Sequence, residues 1–424
     1  MLSLKNLRNN KSEIANQLKV RSSDYPELIE KIYQLDEEHR QKLTKFEENK
    51  ARANQLAKEI GTHFQQGNKE EGERLKKESN HLKEENKTLQ EEVKSLENQI
   101  RENLLEIPNP PDPSVHEGED DTENEIVASW EPLNGARSSN APHWEILERY
   151  DLMDAEGANK MAGSGFSLFK GKGAILQRGL VQYFLDKAAE KGYTEYAPPH
   201  LVNESTAFGT GQLPDKEGQM YHLESEDLYL IPTAEVPLMN YFRDEILSEE
   251  DLPRKMAAHT PCYRREAGSH GREVRGLNRI HQFDKVEIVQ VAHPDNSWEV
   301  LEEMRKHAEE LLKELEIPYR VAKLCSGDLG FAAAFTYDLE AWSPGQEKWL
   351  EVSSVSNCTD FQSNRLELRF RDQNDRKFMA HTLNGSALAL PRTIAALVEN
   401  HAEADSIKIP EVLKKYVPFD EIKL

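Results

Sequence analysis

The sequence predicts an α+β protein: an N-terminal antiparallel two-helix coiled-coil arm, then an antiparallel β-sheet flanked by helices. Three observations predict it. No proline occurs between Pro26 and Pro108, and that interval carries two long runs of helical spacing. A stiff, proline-rich string at 107–113 then interrupts the chain. From Trp130 onward, short strand-like segments alternate with helices and Gly/Pro/Asn turns in hairpin-like succession, without regular βαβ repetition.

The arm is justified by its seam. Leu75, Ser79, Leu82, Asn86, Leu89, Val93, Leu96 and Ile100 recur at alternating intervals of four and three, the pattern of a coiled coil. A looser seam runs through Leu28, Ile32, Leu35, His39, Phe46, Ala53, Leu56 and Ile60. Gly61 and Gly67 bracket the break, so the turn is expected near 62–68 and the helices should run antiparallel. The first helix, about 37 residues long, would reach roughly 55 Å at 1.5 Å per residue. Such a hairpin buries one thin seam and should project into solvent. Its tip half carries Arg52, Lys58, Lys69, Lys76 and Lys83. Those cations suit the solvated face of a spacer or dimerisation coil, and equally a track for a phosphate backbone.

The remaining elements follow in order. The acidic run at 117–125 belongs on the surface. The expected organisation is an N-terminal domain over 1–106, a linker over 107–129 and a second domain over 130–424. Ile175, Leu176, Leu180, Tyr183, Phe184 and Ala188 lie at helical spacing within 173–191. A second helix fits 296–315, and strands fit 228–231, 350–353 and 366–370. The stretch 262–291 reads as two strands joined by a basic, glycine-bearing loop containing Gly268, His270, Gly271, Arg272, Arg275, Gly276 and Arg279. Arg264 and Glu266 are two apart and share a face; Phe283 and Glu287 are four apart and also share one, so a hairpin brings all four to a single sheet face. As a hairpin they suit a ligand with an ammonium group, a phosphate and a flat base. Near the end, Pro391 suits the first turn of a helix whose stripe is Leu390, Ile394, Leu397 and Val398. Arg392 then sits at a helix N-terminus, where the backbone already favours anions. Taken singly, that arginine and each carboxylate would equally serve as surface residues.

Composition bounds the partners. The 424 residues carry a net charge of −22, which argues against a general nucleic-acid coat protein. Acidic and basic residues nearly balance over 1–106, however, so the arm can still meet RNA. Cys262, Cys325 and Cys358 are odd in number and widely spaced, with no CxxC pair. They read as reduced thiols rather than a zinc site or disulfide framework. The N-terminus has no apolar run fit for a signal peptide, and no stretch of about 18 apolar residues occurs. A cytoplasmic protein without a membrane partner is expected.

In this order, the pieces resemble the class II aminoacyl-tRNA synthetases, and within them the seryl-tRNA synthetase family of bacterial type. The helix and strand ending at Pro199 resemble the first class II motif. Arg264-Arg-Glu266 with the following loop and Phe283 resemble the second, and the segment ending in Arg392 the third. Thr233-Ala-Glu235, Glu351-Val-Ser-Ser354 and Asn384-Gly-Ser386 resemble the seryl branch, as does the helical arm. Three departures stand out, one of them the atypical segment 114–125. Ala387, Ala389 and Pro391 occupy a region usually rich in glycine, and Asn364 stands where the pattern has a second arginine.

The resemblance implies a class II synthetase catalytic domain that activates L-serine with ATP and transfers it to tRNA(Ser), and to tRNA(Sec) where one exists. It implies a homodimer. Arg264 and Arg392 would be catalytic. Thr233, Ala234, Glu235, Glu287, Asn384 and Ser386 would bind serine. Arg264, Arg265, Glu266, Ile280, Phe283, Glu351, Val352, Ser353, Ser354 and Arg392 would bind ATP, with Glu351 and Ser354 as ligands of Mg²⁺. The loop 267–279 would handle the tRNA acceptor end, and the arm would hold tRNA by backbone and shape. Two other readings stay open. A related ligase could charge a carrier protein with a small amino acid, but should lack the arm. A coiled-coil scaffold could carry an inactive core, but should have lost the charged site residues.

Overall fold

The computed structural model describes residues 1–133, 141–266 and 275–424. It comprises two compact units, Leu2–Pro108 and Asn109–Leu424, the latter together with Met1.

The first unit is helical: α1 (Leu4–Lys19), α2 (Tyr25–Gln65) and α3 (Lys69–Glu106). The seam is buried at Leu56, Leu75, Ser79, Leu89, Val93, Leu96 and Ile100. Pairs Lys42–Glu92, Lys45–Glu85 and Arg52–Glu78, at 3.0, 2.5 and 3.0 Å, descend along α3 as they ascend α2, as antiparallel helices require. Each is half exposed and worth only about 0–1 kcal/mol, so apolar seam burial carries the stability and the pairs reinforce register. The turn falls inside the expected 62–68, at its far end, and Gly61 does not end the helix. α2 runs 41 residues, through Gln65, and the chain reverses at Gly67, whose φ of +81° favours glycine. A lone glycine in a long helix costs about 1 kcal/mol, too little to end it. Helix α1 was not expected. It buries Leu7, Ile14 and Leu18, and Arg8 reaches Asp36 of α2 through Nε and Nη2 at 2.8 and 2.6 Å. Asp36 is thus buried beside half-exposed Leu35, reversing the seam assignment there.

The second unit is built on an eight-stranded sheet: β1 (Glu125–Trp130), β2 (Thr194–Glu195), β3 (Arg254–Tyr263), β4 (Gln282–Ala292), β5 (Tyr319–Lys323), β6 (Phe335–Ser343), β7 (Lys348–Asn357) and β8 (His381–Ala389). Their order is β1-β5-β6-β7-β8-β4-β3-β2. All neighbours are antiparallel except β2 and β3. The stretch just before Trp130 therefore supplies an edge strand. Helices α4 (His143–Arg149), α5 (Lys172–Glu190), α6 (Glu235–Asn240), α7 (Ser297–Glu314), α8 (Phe361–Leu366) and α9 (Leu390–His401) accompany the sheet. The stretch 366–370, expected as a strand, is instead the end of α8, a left-handed residue at Glu367 (φ +52°) and the start of a short strand, Arg369–Arg371. Leu366, Leu368 and Phe370 are all buried, so their spacing of two imitates a strand face.

Alternation along β4 places the site. Val286 and Ile288 point into the main core with Leu180, Phe184, Ile394 and Leu397. Val289 and Val291, on the other face, pack with Leu238 and Met239 of α6 and with Leu366 of α8. Between that second cluster and the start of β4, the same face carries Phe283, Lys285 and Glu287, and there it opens. Among the described residues, no helix is long and apolar enough to cross a membrane.

Candidate active site

Strands β3 and β4 pair as the expected hairpin, with Cys262 opposite Phe283, Thr260 opposite Lys285 and Ala258 opposite Glu287. On the other side of β4, Glu287 faces Ser386 of β8. The open face becomes the floor of a cleft of about 460 Å³. Thr233, Glu235, Arg264, Glu266, Ile280, Phe283, Glu287, Glu351, Val352, Ser353, Ser354, Asn384, Ser386 and Arg392 all line it. Ala234 and Arg265 do not. Ala234 is fully buried in the apolar cluster behind α6. Arg265 is exposed, and its backbone N–H donates to the Gln219 carbonyl at 2.9 Å. Strand β3 stops at Tyr263, so Arg264 and Glu266 do not share a strand face. Glu266 turns into the cleft through a left-handed backbone (φ +48°) and accepts from Arg279 Nη1 at 3.1 Å. Gly268, His270, Gly271 and Arg272 lie outside the described residues.

At one end of the cleft, two carboxylates are buried. Glu235 Oε1 accepts from Gln362 Nε2 at 2.7 Å and from Asn384 Nδ2 at 2.9 Å. Burial and the neighbouring Glu287 push its carboxyl up to about 7, against the pull of Gln362, Lys285 and Arg264. Glu287 accepts from Ser386 Oγ at 3.4 Å and pairs with Lys285 Nζ at 2.5 Å. The Ser353 hydroxyl is already engaged, donating to the Ser386 carbonyl at 2.7 Å.

Toward the middle, the Arg264 guanidinium lies 5.3 Å from the Phe283 ring centre, a cation–π contact, and donates from Nε to the Pro232 carbonyl at 3.4 Å. At the far end, Arg392 occupies the first turn of α9, with Pro391 at the expected place. Its Nε donates to the Asn278 carbonyl at 3.0 Å, and its Nη1 donates to the Glu351 carbonyl and carboxylate at 2.9 and 3.2 Å. The Glu351 side chain is half exposed into the cleft. Burial raises its carboxyl, but Arg392 and Arg264 outweigh burial and hold it below the usual range. Asp338 sits opposite Ser354 across β6 and β7. Burial and Glu351 drive its carboxyl well above the ordinary value. Before Arg392, the pairing of β8 with β4 shifts between Ser386 and Ala389, and Leu388 adopts φ +68°. This kink falls in the segment where the sequence departs from a glycine-rich pattern.

The sequence reading missed three groups. Lys285 lies between Phe283 and Glu287 on the same strand face, so the alternation that found its neighbours would have found it. Gln362, from α8, signals nothing locally. The third is a buried pair behind the cleft. Glu399 of α9 accepts from the His143 backbone N–H at 2.7 Å and from its Nδ1–H at 3.0 Å, and also from the Ser343 hydroxyl and the Gly345 N–H. His143 Nε2 in turn accepts from the Leu277 N–H at 2.9 Å. Gly276 must be glycine here: its φ is +67°, and a Cβ would fall 2.4 Å from His143 Nε2. The pair thus clamps the backbone beside Asn278, whose carbonyl holds Arg392. Among the described residues, no cluster of three or more His, Cys, Asp or Glu has the form of a metal site.

Comparison with known proteins identifies this arrangement. Residues 1–111 match the seryl-tRNA synthetase N-terminal domain, and 221–401 match the tRNA synthetase class II core domain (G, H, P, S and T). A serine–tRNA ligase of Finegoldia magna is 48% identical over 424 residues, covering 100% of both chains. That of Salinibacter ruber is 46% identical, over 100% of this chain and 99% of its own. The chain belongs to the seryl-tRNA synthetase family. It is accordingly a class II aminoacyl-tRNA synthetase, an ATP-dependent ligase. The seryl-tRNA synthetase of Pyrococcus horikoshii, solved with ATP, superposes with a TM-score of 0.93 at 38% identity, over 100% of this chain and 99% of that one. A Giardia lamblia prolyl-tRNA synthetase shares the fold at 16% identity, with a TM-score of 0.56 over 64% of this chain and 54% of its own. The family thus agrees with the first reading of the sequence rather than with a carrier-protein ligase or an inactive scaffold.

Proposed function

We propose that the cleft activates L-serine with ATP and passes the seryl group to tRNA(Ser). The observation that carries this is the order of groups along one cleft: Arg392 at one end, Arg264 over the Phe283 ring in the middle, and two buried carboxylates with small polar side chains at the other. Phe283 stacks the adenine, with Glu266 and the backbone near Ile280 at its edge. Glu235 and Glu287 take the ammonium and hydroxyl of serine, with Thr233, Asn384 and Ser386 around them. A pocket that hydrogen-bonds the substrate hydroxyl rejects alanine by leaving its own groups unpaired. Arg264 holds the serine carboxylate and α-phosphate in line, and Arg392 takes the distal phosphates. Negative charge grows on the phosphoryl oxygens as pyrophosphate leaves, so fixed cations and positioning do the work, without a protein nucleophile.

Mg²⁺ fits the same end. Glu351 presents an ionised carboxylate to the cleft, and Ser354 lies on the same wall. So few protein oxygens suit an ion that keeps waters and phosphate oxygens as its other ligands. When bound, Mg²⁺ would neutralise phosphate charge there. The proposal extends to the roles of the arm and the 267–279 loop in tRNA binding, the domain division at 106 and 130, a homodimer, a cytoplasmic enzyme, and serylation of tRNA(Sec).

ATP–pyrophosphate exchange tests the core of this reading. Exchange should depend on serine, and Arg264→Ala should lower its rate by about a hundredfold or more, the scale of losing a charge-stabilising group. Exchange supported by alanine or glycine but not by serine would sink the substrate assignment.

A further inference from the structure

Lys285 has no part in the mechanism above, yet it occupies the middle of the site. It follows Phe283 and precedes Glu287 at successive positions on one strand face, about 7 Å apart by strand geometry. It therefore stands where the nucleotide and the amino acid meet. Its side chain is 8% exposed and that of Glu287 is 3%. A buried ammonium is costly without a partner, and here the partner is Glu287. Around the amino-acid end, two carboxylates, Glu235 and Glu287, face two cations, Lys285 and Arg264.

Serine arrives as a zwitterion. Its ammonium needs a carboxylate, and Glu287 is already paired with Lys285. Once that ammonium takes Glu287, Lys285 is left buried and unpaired. The same molecule brings the missing anion, its own carboxylate. Arg264 is tethered to the Pro232 carbonyl and lies over Phe283, whereas a lysine stem is flexible and can swing.

Building on the proposed serine-activating role, we propose that Lys285 is a substrate-contacting cation of the amino-acid site. Its ammonium leaves Glu287 for the serine carboxylate and holds that group, beside Arg264, for attack on the α-phosphate. It moves no proton. It offsets carboxylate charge until the new oxygen–phosphorus bond forms and the bond to pyrophosphate breaks.

The test is exchange kinetics with serine, together with inhibition by serinol, which has the ammonium and hydroxyl but no carboxylate. Wild-type protein must first show serine-dependent exchange; its absence would refute the functional reading and is distinct from the outcomes below. Lys285→Gln should lower kcat/KM for serine by about a hundredfold, as loss of a fixed charge at a reacting group does. The same variant should bind serinol no more than about threefold less tightly, and Lys285→Arg should keep more than about a tenth of the activity. A purely structural lysine would not discriminate between the two ligands. Equal losses for serine and serinol would overturn the proposal, because Lys285 would then act only on Glu287. An unchanged kcat/KM would overturn it as well. Lys285→Met gives the same comparison should the glutamine variant fail to fold.

Discussion

Glu235 carries the most consequential titration in the cleft. Burial and Glu287 raise its carboxyl to about 7, while Gln362, Lys285 and Arg264 oppose the rise. Below that value it holds a proton, and the serine ammonium bound at Glu287 loses the second carboxylate charge beside it. In exchange assays kcat/KM for serine should therefore climb about tenfold per pH unit between roughly 5.5 and 6.5 and level off above about 7. Glu235→Gln should give a lower, flatter profile; a slope that survives in this variant would place the titration elsewhere. Stability runs the other way. Between 4.5 and about 7 the folded chain keeps a proton that the unfolded chain releases, so this residue makes stability fall as pH rises through that window. At this scale the sequence was legible wherever function follows local alternation, as at Phe283 and Glu287. It was illegible wherever a partner comes from far along the chain. Gln362 is 127 residues from Glu235, and His143 is 256 from Glu399.

Elements explain why those distant partners matter. Helix α9 presents Arg392 at its first turn and Glu399 two turns later, and both ends act on the segment around Leu277 and Asn278. Burial raises the Glu399 carboxyl, but hydrogen bonds from His143 and Ser343 outweigh it and hold it low. Glu399→Gln replaces an acceptor with an N–H₂ donor that meets existing donors. It should destabilise the catalytic unit by about 2–4 kcal/mol, read as a lower thermal midpoint, and should raise KM for ATP by loosening the anchor of Arg392. A variant with unchanged stability and KM would show the clamp to be idle. The helix itself was readable from Pro391 and its apolar stripe. The β8 kink was not: Leu388 has no glycine to announce its left-handed backbone. Nor was α1, whose burial depends on α2 and on an arginine that reaches Asp36.

At the scale of the whole molecule, the division into Leu2–Pro108 and Asn109–Leu424 separates a seam from a core. The seam was legible because its repeat is local and long. The sheet order was less so, since β1, β5 and β2 are short or lie at edges and carry weak patterns. The groups of the proposed adenylate site all belong to the second unit, so deleting residues 30–101 should leave serine-dependent exchange within about threefold of wild type while abolishing tRNA charging; charging at the wild-type rate would refute the role of the arm. Because α2 and α3 meet through a seven-residue repeat, the arm also behaves as a graduated length. Removing seven residues from each helix at matched positions keeps every remaining contact in phase and moves the tip inward by about 10 Å. Removing two or five turns the apolar stripe away from its partner, whereas three or four only unwinds or overwinds it locally. Evolution can therefore adjust the reach of this arm only in discrete steps, and its length is a quantised property of the sequence.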